Sequence, residues 1–176
     1  FSYSVDVERK KNRYNCLENF LEIAVLEEGR SIHYNSDGTT EVLYPGMVSC
    51  IASDMNCECT MSDGERQRHT TVGVDMEYRI EKYLSEQQCD VAALKKRMKE
   101  RIIILVPYQC PLGELYEKIL NNIKQISSLH LSGNPSDELK AIGKWYSLVG
   151  ELTDIVLKKL DNHFKVVSNL PSGDEE

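Results

Sequence analysis

Phe20-Leu21-Glu22-Ile23-Ala24-Val25-Leu26, then Glu27-Glu28-Gly29, then Arg30-Ser31-Ile32-His33-Tyr34, then Asn35-Ser36-Asp37-Gly38, then Thr39-Thr40-Glu41-Val42-Leu43-Tyr44 is the stretch that decides the fold. β-branched and aromatic residues fill the runs, and acidic-glycine turns separate them. Asp-Gly between such runs is the strongest short-range hairpin signal, because glycine takes positive φ without steric cost. After Pro45-Gly46 the pattern continues through Met47–Ala52, a loop near Asp54, Asn56–Met61, the turn Asp63-Gly64, and Arg66–Val72. These six runs, with no helix between them, predict an antiparallel meander rather than a βαβ array.

From Gly73 the period changes. Met76, Ile80, Tyr83 and Leu84 share a helical face, with Asp75 as the expected cap. Such a helix can cross the apolar face of the sheet. Asp90 to about Leu105 reads as a further helix ended by Pro107, although Ile102-Ile103-Ile104 also suits a strand. Leu112, Leu115, Ile119, Ile123 and Ile126 mark the next helix. Leu131–Pro135 is a break, and Ser136 is the expected cap of a long helix running to roughly Phe164. Along that helix Leu139, Ile142, Tyr146, Val149, Thr153, Val156 and Leu160 follow a three-four spacing, the seam of a coiled coil or helical hairpin. Trp145, Leu148, Leu152 and Ile155 widen the apolar face, which suits burial against two neighbours, the preceding helix and a second subunit, or packing wholly within its own chain. Phe1, Tyr3, Val5 and Val7 alternate, so residues 1–19 suit an edge strand and linker, with a solvated lead-in the preferred reading over 8–16; Ser168–Glu176 reads as a disordered acidic tail.

The chain has 176 residues, 41% hydrophobic and 28% charged, as in ordinary globular proteins. Its formal net charge of −7 argues against a nucleic-acid binder, which is usually basic. No apolar run approaches the roughly 18 residues that would suggest a membrane span. The start at Phe1, without Met or a signal-peptide pattern, predicts an excised domain or a processed product, intracellular in cytoplasm, cytoskeleton or nucleus. Six cysteines are too sparse for a stapled scaffold, and the reading is free thiols in a reducing compartment; a disulfide-bonded extracellular domain is the competing one.

The strand block resembles a polo box. Leu26–Val42 is similar to that family's second and third strands, with the aromatic and Asn-Ser-Asp-Gly-Thr in sequence. Gly46–Ile51 is similar to the fourth strand of a terminal polo box, and Met76–Leu84 to the helix that closes it. The resemblance covers about residues 18–86. It implies a six-stranded antiparallel sheet crossed by one helix, followed here by a helical extension over 89–167. It also implies a non-catalytic targeting module of a larger protein that docks a kinase or scaffold at centriole, cytoskeleton or kinetochore, often as a dimer. Phosphopeptide-reading members carry a His and a Lys after the Asp-Gly hairpin. Tyr44-Pro45-Gly46-Met47-Val48 has neither.

Cys57 and Cys59, with Cys50 and His69, form the one metal-like set. A hairpin through Asp54 would bring Cys50 opposite Cys59. The one-residue spacer fits structural zinc poorly, so buried thiols are the reading and no metal or cofactor is implied. None of the four histidines sits in a nucleophile motif, and no phosphate or dinucleotide fingerprint is present. The basic run Lys95, Lys96, Arg97, Lys99 and Arg101 could meet an acidic helix or peptide, with Trp145 and Tyr146 as further partner-binding candidates. Leu94, Met98 and Ile102 thread that run at helical spacing, as on the solvated side of an amphipathic helix. The competing function is a small α+β enzyme or ligand-binding domain with a pocket between sheet and helices.

Overall fold

The computed structural model describes residues 11–14, 20–35, 38–52, 57–60, 66–75 and 89–168, with side chains at 11–14, 57–60 and 162–168 left aside. The chain is α+β, and all of its described strand pairs are antiparallel. The strands are β1 (Lys11–Tyr14), β2 (Phe20–Glu28), β3 (Ser31–Asn35), β4 (Thr40–Leu43), β5 (Met47–Ala52), β6 (Cys57–Thr60), β7 (Arg68–Asp75) and β8 (Gln109–Pro111). The helices are α1 (Val91–Met98), α2 (Tyr116–Leu131) and α3 (Pro135–Ser168).

Each of the six predicted runs forms a strand, but they do not build one six-stranded sheet. They are divided between two four-stranded sheets, ordered β1-β6-β3-β4 and β7-β2-β5-β8. Among the described strands only β3–β4 is a sequence-adjacent hairpin, turning at Gly38 with φ +85°. From β1 to β7 every other step crosses between the sheets, as in a jelly roll, and β7 and β8 lie at opposite edges of one sheet. The Glu27-Glu28-Gly29 turn is therefore a corner. A β-bulge between Leu26 and Glu28 bends β2 there, and a Cβ on Gly29 would lie 2.2 Å from the Arg66 carbonyl oxygen. The physical reason for two layers is burial on both faces. Ile23–Leu26, Val48–Ile51 and His69–Gly73 are buried at every residue, whereas a sheet covered on one face alternates.

Two strands escaped the sequence reading. β1 lies within the supposed lead-in and pairs with β6 at a sheet edge. β8 has three residues and ends in Pro111, which an edge strand tolerates because its outer N–H side needs no ladder partner. Asp75 is the last residue of β7, opposite Phe20, and the helix it was expected to cap lies outside the described residues. The expected helix over Met76–Leu84, the alternation at Phe1–Val7, the turns at Asp54 and Asp63-Gly64, and the residues beyond Ser168 lie outside the described residues.

The chain forms two compact units, Phe1–Tyr78 with Pro107–Leu148, and Arg79–Val106 with Val149–Glu176. This division cuts across the expected boundary near residue 88. In the first unit α2 lies on β7 and buries Ile119, Ile123 and Ile126. Asn134, not Ser136, caps α3. Its Oδ1 accepts from the Ser136 N–H at 3.0 Å, and Pro135 takes the first helical position, where a missing N–H costs nothing. In the second unit α1 is capped by Asp90, whose Oδ1 accepts from Ala93 N–H at 2.9 Å. It ends at Met98, well short of Leu105. The Ile102–Ile104 run is neither helix nor strand; β-branched side chains lower helix propensity, and Leu105 instead finds its partner in Thr153. Leu105 N–H donates to Thr153 Oγ1 at 3.0 Å, and that hydroxyl is 3.2 Å from the Leu105 carbonyl oxygen.

Candidate functional site

Strand register fixes which residues look between the two sheets. Ala24 stands opposite Ser49 on one side and Thr71 on the other, and Ser49 stands opposite Gln109. Directly opposed residues in an antiparallel ladder point the same way. Gln109 Nε2 reaches His33 Nδ1 of the other sheet at 3.0 Å, so this face is the interior one. Two residues along β2 comes Glu22, on the same face and opposite Ile51 and Gly73. The alternate residues Ile23, Val25, Val48, Cys50 and Val72 point away and are almost wholly buried, on the face where α2 lies against β7.

The interior is polar, which a dry β-sandwich core is not. Ser49 and Thr71 are 1% and 4% exposed, and neither hydroxyl oxygen has a hydrogen-bond partner among the described residues. Glu22 lies between the buried Leu21 and Ile23 and is itself partly buried. Burial pushes its carboxyl from 4.5 up to about 7. Burial likewise drives His33 down to about 4, so its ring is neutral and Nδ1 accepts from Gln109. His69, opposite Leu26, is lowered by burial against the opposing field of Glu27. At the β8 edge Tyr108 Oη donates to Asn35 Oδ1 at 2.5 Å, tying the sheets together.

Phe20 completes this face. A Cβ built on Gly73 would lie 2.0 Å from Phe20 Cζ, so the ring rests where that side chain would be. Glu22 is the register partner of Gly73, so it stands across the ladder from the position the ring covers.

On the outer face Thr70, Glu27 and Lys124 form a closed cluster beside a groove of about 700 Å³ that Arg68, Ser127 and Leu131 also line. Thr70 Oγ1 donates to Glu27 Oε1 at 2.5 Å and Lys124 Nζ to Oε2 at 3.0 Å. The charges in this groove are already satisfied by one another.

The sequence candidates are dispersed. Lys95, Lys96 and Arg97 occupy the last turn of α1, with Lys99 and Arg101 just after it; Lys95 pairs with Asp161 at 2.8 Å. Trp145 is 2% exposed and therefore unavailable as a docking side chain, while Tyr146, packed edge-on to it at 5.4 Å, is half exposed. Basic run and aromatic pair belong to different units. The Cys50–Cys59 pairing does not form. Cys50 is opposite Ile23 in one sheet, and Cys57 and Cys59 are on β6 of the other, because the chain changes sheets after β5. His69 is on the interior face. Cys50, Cys89 and Cys110 carry thiols rather than disulfides. Glu22, Ser49 and Thr71 were missed. Their signal was a polar residue set among apolar neighbours in each of three buried strands.

No known protein family and no curated protein matches the chain. Among solved structures it is similar to ToxT from Vibrio cholerae, at 12% identity over 89% of this chain and 57% of that one, with a TM-score of 0.47. It is also similar to a DUF861-family protein from Thermotoga maritima, at 15% identity over 40% and 76% of the two chains, TM-score 0.34. Tomato vicilin follows at 15%, over 69% and 41%, TM-score 0.32. None of the three is a polo-box protein. The chain spans a little over half the length of ToxT. At these TM-scores nothing about function transfers.

Proposed function

We propose that this chain is a non-catalytic small-molecule-binding module, with its site between the two sheets. One observation carries the reading. Ser49 and Thr71 hold buried hydroxyls without a partner among the described residues on the inner face, one ladder step from the partly buried Glu22. Unpaired buried polar groups are costly, and a ligand that hydrogen-bonds them removes that cost. Among the described residues of this face no nucleophile is hydrogen-bonded to a base, which favours binding over turnover. The test is ligand-observed NMR of a metabolite library against the wild type and Thr71→Ile, which fills the interior. Ligands that bind the wild type and not the variant support the module; identical binding to both, or binding to neither, removes it.

A second reading, closer to the expectation from the polo-box resemblance, is protein docking. It is favoured by α3, where Leu139, Ile142 and Tyr146 are 72%, 40% and 50% exposed on one helical face. Apolar residues at this spacing suit a partner helix, a second copy of the chain included.

A further inference from the structure

We infer that the interior site takes an organic ammonium ion, its charge on the Glu22 carboxylate and its alkyl groups against the Phe20 ring. The inference rests on the interior-site reading above and names the ligand class.

The charge inventory of the inner face carries it. Register assigns the inward positions: even-numbered residues from Phe20 to Leu26 on β2, odd-numbered residues from Ser31 to Asn35 on β3, and Glu41 and Leu43 on β4. Met47, Ser49 and Ile51 follow on β5, then odd-numbered residues from His69 to Gly73 on β7, and Gln109 on β8. Among these, Glu22 and Glu41 are acids, and none is Lys or Arg. The two inward histidines, His33 and His69, are neutral. The interior field is therefore negative among the described residues, and only a cation lowers its energy.

The local chemistry agrees. Glu22 has no ion pair within the described residues that could neutralise it. The Ser49 and Thr71 oxygens, one ladder step away, have lone pairs to accept N–H donors. The ring of Phe20, seated over Gly73, is an aromatic face across the ladder from Glu22, and a ring plus a carboxylate is the pairing that recognises alkylammonium groups. An anionic ligand would add charge of the same sign. A neutral polyol would leave Glu22 uncompensated.

The experiment titrates the full chain at pH 8 with n-butylammonium, tetramethylammonium, n-butanol and butyrate, read by calorimetry and ligand-observed NMR. One or both cations should bind at least tenfold more tightly than butanol and butyrate. Glu22→Gln, an isosteric change, should weaken that binding at least tenfold, Phe20→Leu should weaken it severalfold, and Glu28→Gln on the exposed end of β2 should leave it unchanged. Equal binding of butanol or butyrate, insensitive to Glu22→Gln but lost in Thr71→Ile, overturns the cation assignment and leaves the interior site standing. Binding of none of the four overturns the assignment too, and if the metabolite library also finds no Thr71-sensitive ligand, the interior site falls with it.

Discussion

The ring of Phe20 lies across Gly73, with Cζ 2.0 Å and Cε2 2.7 Å from where a Cβ on that glycine would stand. A side chain at position 73 and the present ring position are mutually exclusive. Gly73→Ala should destabilise the fold by about 1–3 kcal/mol, the usual range for overpacking. Phe20→Ala should cost stability by itself but make Gly73→Ala nearly harmless, so a double-mutant cycle from urea midpoints should be strongly non-additive. Additive effects would mean that the ring lies elsewhere.

Glu22 and His33 set opposite limbs of the pH–stability curve. The folded state raises the Glu22 carboxyl from 4.5 to about 7. Its stabilising contribution is present in full below pH 4.5 and is lost as pH rises through about 7. His33 is depressed from 6.5 to about 4, so its contribution is present above pH 6.5 and is lost as pH falls through about 4. Glu22→Gln should flatten the curve between pH 4.5 and 7 and gain about 2 kcal/mol at pH 8, after allowance for partial solvent access. A Glu22→Gln curve parallel to the wild type would place that carboxyl in water.

The outer cluster ranks two substitutions. Burial pushes Glu27 up, but hydrogen bonds from Thr70 and Lys124 and the charges of Lys124 and Arg68 outweigh it, leaving the carboxyl below its ordinary value. The Glu27 side chain is 10% exposed and that of Lys124 49%. A buried charged hydrogen bond outweighs a half-solvated ion pair, so Thr70→Val should cost about 1.5–3 kcal/mol and Lys124→Met under about 1. Because Glu27 is depressed, the Thr70→Val deficit should be present at neutral pH and shrink as pH falls through the folded carboxyl value. The reverse ranking in urea denaturation at pH 7 would assign the stabilisation to the ion pair.

Gly38 probes the one true hairpin. Its φ is +85° and no atom lies within 4 Å of a Cβ built there, so any penalty comes from backbone conformation alone. Gly38→Val should cost more than about 1 kcal/mol, since β-branched residues are strained at positive φ. An unchanged denaturation midpoint would contradict the turn geometry.

Strand identity was legible because turn chemistry is local: glycines at 29, 38 and 46, all at positive φ, punctuate the runs. Strand partners were not, because pairing is non-local. A corner glycine and a hairpin glycine read alike, and Gly29 and Gly38 differ only in what faces them. The clue was in burial. Ile23-Ala24-Val25-Leu26 is apolar without alternation, which a sheet covered on one face does not need. β8 was illegible because it comprises three residues recruited from beyond a helix. The interior site was hidden for the same reason. Glu22, Ser49, Thr71 and Gln109 come from four strands, and only register brings them to one face.

The exposed stripe on α3 separates docking from simple solvent exposure. Leu139, Ile142 and Tyr146 recur three and four residues apart on a helix of 34 residues, and their neighbours Ala141, Trp145 and Leu148 are buried on the opposite side. Leu139→Glu and Ile142→Glu replace side chains 72% and 40% exposed, so each should change unfolding free energy by less than about 0.5 kcal/mol. If the stripe pairs with a second copy, sedimentation equilibrium should find a concentration-dependent dimer for the wild type and a monomer for either variant. The apparent melting temperature should rise with protein concentration for the wild type alone, since a dimer is stabilised by mass action. A wild type that stays monomeric at the highest attainable concentration removes self-association and leaves the stripe to a different helix.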